Sequence, residues 1–591
     1  MKDNDPSLLD ILFISPSSMP LYQLEEMLSE KNSLLMPKFE TPTGLIELAS
    51  YTRNKCDQVN FELLDLAKEL FLHHKELETQ DPTNFSSFAR QVLSKVKIKP
   101  KIVGISILFS SSYISSLKLA EIIKEVWPET TVILGGGHVT FYHAQTFRDS
   151  PHIDYIFVGE AEISFKKFIE KFQEAESTGT ADFNVYEIQG AYDRAKTESE
   201  LIKGQEQGTF GELLIDLDEI GLPAYELLDL ETYKRYSNAF DEGAVGVMMD
   251  RGCPFNCTYC ASMIIHGSGI RTKSNQNIID ELLYLRDECN FKNIILWDDL
   301  LAAKKTKFAE LSERIVNEKV NEGLVFSMPS GLSVRIMDED LLEKVCALGF
   351  NYIRIMIESG SADAQQNIVK KKVDLDKARR LIAHARTLGV KVETNILFGF
   401  PHETKSHMQE TIDYVKTIDV DWIQVFALLP LPGTEAFHQY AEMGKIDKNN
   451  IDWDRCGYSA REFDTNEITA DELTDLVYDV NIHTNFFGNR NYLNERYERA
   501  AQYFTDMVLR KYKFHIPALY MRAQAYFKMG EEDKAEKDLE EAAYQIDNNA
   551  TSLHQWKRYG NKMPLLAERL DKKYQTTVAP HPPAVSAGFT F

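Results

Sequence analysis

The chain has 591 residues, too many for one hydrophobic core; at ~150 residues per domain it should hold three or four units. No apolar run approaches the ~18–20 residues that span a bilayer, and Met1–Ser15 lacks the basic, apolar and small-residue succession of a secretory leader, so a cytoplasmic protein is expected. Its 66 basic and 90 acidic residues leave a formal charge of −24, which sets the average surface against polyanions and argues against nucleic-acid substrates.

In chain order, Leu9–Ser15 (LDILFIS) reads as a buried strand and Gly44–Asn54 as a helix with apolar positions at helical spacing. A strand at Val59–Leu64, a helix at Phe85–Val96 and a strand at Ile102–Leu108 follow. Then come helix Ser115–Val126, strand Thr131–Leu134 running into Gly135, Gly136 and Gly137, and strand Asp154–Val158 running into Gly159 and Glu160. Strands alternating with helices imply an α/β, doubly wound parallel sheet over residues 1–170, with ligands expected at the C-terminal strand ends where the glycines lie. Residues 171–242 have little periodicity and many charges and read as a connection.

A second series opens at Gly243. Its strands are Ala244–Asp250, Asn293–Trp297, Val325–Pro329, Tyr352–Glu358, Lys391–Phe398 and Trp422–Leu428, with amphipathic helices between them. Such a succession predicts a partial (β/α)6 barrel over 243–463. From 464 to 574 the pattern is helical, and Ala523, Tyr526, Gly530, Ala535, Leu539 and Ala542 fit a tetratricopeptide-like hairpin. Residues 575–591 are Pro- and Ala-rich and are expected to form a flexible tail.

Four of the seven cysteines (Cys56, Cys289, Cys346 and Cys456) stand alone, which fits reduced thiols rather than a disulfide frame. Cys253, Cys257 and Cys260 instead share one loop after the first barrel strand (DRGCPFNCTYC). Three thiolates on one loop suit three irons of a cubane and leave the fourth iron open. Zinc is the rival, but a structural zinc site takes four ligands, usually as two Cys pairs. No second pair exists here, and His266 is the only nearby histidine.

The spacing of three and then two residues, with an aromatic before the last cysteine, resembles the signature of the radical S-adenosylmethionine (SAM) superfamily, which uses a six-strand partial barrel. The resemblance implies that Cys253, Cys257 and Cys260 hold a [4Fe-4S] cluster, that SAM chelates its open iron, and that Tyr259 lies beside the adenine. It also implies that Asp298 and Asp299, ending the second strand, and Glu358 and Ser359, ending the fourth, serve SAM. Gly399–Thr404 (GFPHET) resembles the family's Gly-x-Pro-Gly-Glu-Thr turn, with His402 replacing the second glycine; Glu403 reads equally as a first-turn acid or a cofactor contact. Leu431–Thr434 (LPGT) resembles the Pro-Gly-Thr turn of one large branch.

At the front of the chain no Gly-x-Gly-x-x-Gly opens the first helix, which speaks against a dinucleotide fold. The segment resembles instead the flavodoxin-like (Rossmann-like) cobalamin-binding module attached to many radical SAM enzymes. Ser106-Ile107-Leu108 matches its Ser-x-Leu, and Gly135-Gly136 follows at its spacing. The resemblance assigns Ser106, Leu108, Gly135, Gly136, Gly137, His138, Gly159 and Glu160 to the cobalamin side, with His138 capping the glycine turn. Residues 16–42 contain no Asp-x-His-x-x-Gly, so no histidine from that loop is expected on cobalt.

Together the resemblances cover about residues 10–437 and imply a cobalamin-dependent radical SAM methyltransferase. In that family a low-potential donor such as flavodoxin or ferredoxin reduces the cluster, and SAM is cleaved to a 5′-deoxyadenosyl radical. The resulting substrate radical then takes methyl from methylcobalamin. The alternatives are a non-methylating oxidase or cyclase with the same cofactors and, from another class, a binding or assembly protein whose helical C-terminus docks a protein partner. A methylthiotransferase would need a second cysteine trio. Neither a catalytic side chain nor the identity of a small-molecule or peptide substrate can be read from the pattern.

Overall fold

The computed structural model describes residues 8–29, 35, 37–75, 83–179, 184–203, 208–237, 243–448, 450–456 and 463–570; the expected tail, 575–591, lies outside them. The chain divides into two compact units, Met1–Pro329 with Ala347–Gly349 and Leu429–Glu462, and Ser330–Cys346 with Phe350–Leu428 and Phe463–Phe591.

The first unit opens with a six-stranded sheet built from β1 (Leu9–Ser15), β2 (Val59–Asp65), β3 (Ile102–Ser106), β4 (Thr131–Gly135), β5 (Tyr155–Phe157) and β6 (Ala191–Tyr192). Their order is β2-β1-β3-β4-β5-β6, parallel except for β6. Nearly every position of β1 is apolar, as a strand covered on both faces requires. Phe13 of β1 packs on Phe61 and Phe165, with ring centroids 5.2 and 5.7 Å apart. The strand order reverses direction between β1 and β3, and the crevice beyond the C-terminal ends there is where doubly wound sheets take ligands. Strand β6 falls in the segment that reads as a connection; two residues carry no period by which to find a strand.

The same unit continues with β7 (Ala244–Val247), β8 (Asp250–Arg251), β9 (Arg271–Thr272), β10 (Asn293–Leu296) and β11 (Val325–Ser327). Strands β11-β10-β7 form a parallel sheet, while β8 and β9 pair as a two-residue antiparallel ladder that brackets the cysteine loop. The expected strand Ala244–Asp250 is therefore broken after Val247. The cause is Asp298: its carboxylate accepts the Met249 and Asp250 N–H groups at 2.6 and 2.9 Å and draws the backbone out of the ladder.

In the second unit β12 (Leu332–Ser333), β13 (Tyr352–Glu358), β14 (Lys391–Phe398) and β15 (Trp422–Ala427) form a parallel sheet in that order. All six expected barrel strands are thus present, in a sheet of three and a sheet of four, with β12 as the addition. β15 is an edge strand, and an open edge invites unwanted pairing. Asn485 closes it: its amide accepts the Ile423 N–H at 2.8 Å and donates to the Ile423 carbonyl at 2.7 Å, as a neighbouring strand would. Helices Ile516–Lys528 and Glu532–Asn548 form the expected hairpin, with Ala523, Ala535, Leu539 and Ala542 buried. They share a core with Trp422 of β15, so the hairpin finds its missing face on this sheet. No helix among the described residues is long and apolar enough to cross a membrane.

Candidate functional site

Cys253 is buried, Cys257 and Cys260 are half-buried, and none of the described cysteines is in a disulfide. Their loop is tightly drawn at its base. The Cys253 N–H donates to the Gly267 carbonyl at 3.1 Å, and a β-carbon on Gly252 would stand 2.3 Å from the Gly269 oxygen, so only glycine fits there. Further out, the Cys260 N–H donates to the Cys257 carbonyl at 3.2 Å, and the Ala436 N–H reaches the Thr258 carbonyl at 2.8 Å. No three His, Cys, Asp or Glu side chains among the described residues converge on a single-ion position. A cubane takes one thiolate per iron and asks for no such convergence, so the donor set suits it. His266, which a Cys3His zinc site would enlist, instead has Nδ1 2.7 Å from a Glu160 carboxylate oxygen.

Three acids sit under this loop. Asp299 accepts the Gly252 N–H at 2.7 Å, Asp298 holds Met249 and Asp250 as described, and Asp250 accepts the Leu300 N–H at 3.3 Å. Burial holds the carboxyls of Asp298 and Asp250 well above the usual range, and neighbouring acids push them further. Asp298 and Asp299, expected on SAM, spend these hydrogen bonds on the backbone that carries the cysteines.

At the C-terminal ends of β3 and β4, Ser106 pairs with Gly135. A β-carbon on Gly135 would meet no described atom within 4 Å, whereas one on Gly136 would stand 2.6 Å from the Ile107 oxygen. Beside this hollow Leu108 is 65% exposed, an apolar side chain with nothing yet covering it. An open glycine and an uncovered leucine form a cradle that fits the tail of a cobalamin. The cysteine loop reaches the same place: Ile265 Cδ1 lies 3.9 Å from the β-carbon position of Gly137. His138 faces elsewhere. Its Nδ1 lies 2.9 Å from Ser110 Oγ, its ring is enclosed by Tyr113, Tyr142 and Trp453, and burial pushes its pKa down to about 3, so it stays neutral.

Glu160 follows Gly159 after β5, and both its oxygens are engaged. Arg271 Nη1 donates to one at 2.8 Å and Nη2 to the other at 2.5 Å, which His266 shares. Burial opposes its charge, but the hydrogen bonds from Arg271 and His266 win and hold Glu160 well below the usual carboxylate range. Arg251 extends the network to Glu47 and Glu162, each at 2.7 Å, and Lys273 joins Glu47 to Glu281 at 3.1 and 2.9 Å.

In the second unit Glu358 ends β13 with φ of +68°, a strained conformation for a residue with a side chain. Its buried carboxylate takes Lys371 Nζ at 2.6 Å and the Asn395 amide. Ser359 Oγ lies 3.1 Å from Thr411 Oγ1. Glu403 accepts the Gly399 and Phe400 N–H groups at 2.7 and 3.2 Å, and burial pushes its carboxyl up to about 8.

Residues 247–415 match the Radical SAM superfamily, and residues 81–169 match the B12 binding domain. The chain carries a radical SAM domain and a B12-binding domain. It is 29% identical over 401 residues to the uncharacterized methyltransferase PH0819 of Pyrococcus horikoshii, covering 68% of this chain and 78% of the relative. Cytidylyl-2-hydroxyethylphosphonate methyltransferase of Streptomyces wedmorensis is 26% identical over 490 residues, 79% of this chain and 90% of the relative. Anaerobic magnesium-protoporphyrin IX monomethyl ester cyclase of Rubrivivax gelatinosus is 24% identical over 405 residues, 68% of this chain and 69% of the relative. The fold is that of two solved radical SAM proteins. OxsB, with aqua-cobalamin and S-adenosylmethionine bound, aligns over 97% of this chain and 83% of its own at TM-score 0.59 and 13% identity. TsrM from Kitasatospora setae, with cobalamin and [4Fe-4S] cluster bound, aligns over 74% and 75% at TM-score 0.54 and 15% identity.

Sequence reasoning missed the ion pairs that join the cysteine loop of the radical SAM domain to the front of the chain. Glu160 and Glu162 belong to the B12-binding domain, and Glu47 to helix Thr43–Lys55 of the same sheet's layer; Arg251, His266, Arg271 and Lys273 lie on or beside the loop. Their separations, such as the 204 residues between Glu47 and Arg251, leave no local pattern. Lys371 and Asn395, the partners of Glu358, were missed for the same reason.

Proposed function

We propose that the protein is a cobalamin-dependent radical SAM methyltransferase that methylates an unactivated carbon. One observation carries the reading: the cysteine loop and the glycine cradle lie in the same compact unit, with Ile265 of the loop against Gly137 of the cradle. The two methyltransferase relatives, similar over most of their length, support methylation.

In this reading Cys253, Cys257 and Cys260 hold the cluster, and Tyr259, Glu358 and Ser359 serve SAM. Ser106, Leu108 and Gly135–Gly137 line the cobalamin tail. Asp298 and Asp299 act one step back, fixing the backbone of the cysteine loop. When bound, the cluster, SAM and cobalamin supply radical cleavage and a transferable methyl group; the protein contributes orientation and exclusion of water. A flavodoxin or ferredoxin is assigned as electron donor, and the isolated thiols support a cytoplasmic setting.

Anaerobic reconstitution with hydroxocobalamin, followed by metal analysis, tests the cofactors: about four irons and about one cobalt per chain are expected. Replacing any of the three cysteines with Ala should abolish SAM cleavage. Zinc in place of iron would end the reading. The cyclase relative supports a second reading, oxidative cyclisation with the same cofactors. Product mass separates the two: one added methylene unit means methylation, and loss of hydrogens means cyclisation.

A further inference from the structure

The cysteine loop is held by a short ladder in which Arg251 of β8 stands opposite Arg271 of β9. Two residues on each side cannot fix a loop of this length by backbone pairing alone. Both arginines are buried and point at acids of the B12-binding domain. Glu160 is where these contacts meet. It binds both ends of the loop's base, with Arg271 on both oxygens and Arg251 Nη1 at 3.5 Å, and it also holds His266 at the end of helix Ser262–His266, six residues past Cys260. Arg271 in turn donates to the Leu214 and His266 carbonyls at 2.6 and 2.9 Å, so one carboxylate ties a strand, a helix end and a connecting segment together.

We propose that Glu160 is a positioning residue for radical chemistry: from the B12-binding domain it sets the orientation of the loop that carries Cys253, Cys257 and Cys260. The inference rests on the proposed function for its cluster, but not on methylation or on cobalamin. A buried ionic network is a poor source of net stability compared with an apolar one of the same shape, and its best-attested use is to specify one geometry. Glu160 acts through Arg271, Arg251 and His266. Groups that orient the ligands of a metal site typically change affinity or activity by ~10–100-fold when altered.

The test compares reconstituted wild type with Glu160→Gln, Glu160→Asp and His266→Gln. Two properties are read: the electron paramagnetic resonance of the reduced cluster with and without SAM, and the rate of 5′-deoxyadenosine release. Expected is full iron content in Glu160→Gln, an altered response of the resonance to SAM, and ~10-fold or greater loss in release rate, with Glu160→Asp recovering part of both. A loss of stability alone would leave the resonance of the folded fraction unchanged. Should Glu160→Gln fail to fold, His266→Gln decides, because its ring is one-quarter exposed and its removal takes away one arm of the network. Wild-type resonance and release rate in whichever variant folds would overturn the proposal. If wild type takes up iron but no cobalt, the methyltransferase reading falls while this comparison still stands. If wild type takes up no iron, both fall.

Discussion

The ring of Phe141 occupies the place of a side chain on Gly433: a β-carbon there would stand 2.2 Å from Phe141 Cδ1. Gly433 belongs to the Leu431–Thr434 turn, and Phe141 to helix Gly137–Asp149, which begins in the glycine cradle. With φ at +78°, residue 433 is glycine for two independent reasons. Gly433→Ala should cost ~1 kcal/mol for the left-handed backbone and a further ~1–3 kcal/mol for overpacking. In urea unfolding, the double variant with Phe141→Ala should recover the second part, giving a coupling energy of at least ~1 kcal/mol.

Gly135 offers the opposite case. Because nothing described lies within 4 Å of its β-carbon position, Gly135→Val should leave the unfolding free energy of the cobalamin-free protein within ~0.5 kcal/mol. The new side chain fills the cradle, so cobalamin affinity should fall at least ~tenfold, or ~1.4 kcal/mol. Equilibrium titration with hydroxocobalamin followed by its visible spectrum measures this; unchanged affinity would place the cofactor elsewhere.

Glu403 makes stability depend on pH in an unusual direction. Its carboxyl is pushed up to about 8 by burial, which outweighs two backbone hydrogen bonds, so the folded chain holds a proton that the unfolded chain loses near 4.5. The contribution is full below pH 4.5 and is lost as pH rises towards 8, with a slope of ~1.4 kcal/mol per pH unit. Glu403→Gln, neutral at every pH, should remove this slope. Denaturant midpoints at intervals across that window, compared with wild type, are the measurement.

The Lys371–Glu358 pair gives a stability test in the second unit. Lys371→Met leaves a buried carboxylate without its cation and should destabilise by ~3–5 kcal/mol. Adding Glu358→Gln should return most of that loss, since the penalty lies in the unpaired charge. If Glu358 serves SAM, the double variant will be stable yet bind SAM weakly, which calorimetry can resolve.

Some strands were legible down to their ends: Leu9–Ser15 is β1 residue for residue, and Lys391–Phe398 is β14, whereas the apolar run from Ala244 overshot β7 because Asp298 breaks the ladder after Val247. The alternation of strands and helices likewise carried the doubly wound order. What escaped was short or non-local. β6, β8, β9 and β12 are two residues each, below any period that hydrophobicity can display. Helix Leu21–Ser29 buries only Leu24, Met27 and Leu28, too few apolar positions to display a helical period. In the site, Cys253, Cys257 and Cys260 announce themselves because their ligand spacing is local. Arg251 and Glu47 do not, because a buried ion pair is defined by the fold and either residue alone resembles a surface charge.

The sheet at the front of the chain acts as the counterion of the cysteine hairpin. Arg251 is buried against acids that all belong to that sheet's domain. A fragment beginning at Gly243 would therefore expose a guanidinium evolved for a dry, acidic wall, next to the residues that must take up iron. Exchanging front domains between relatives should succeed only when the donor brings carboxylates at the positions of Glu47, Glu160 and Glu162.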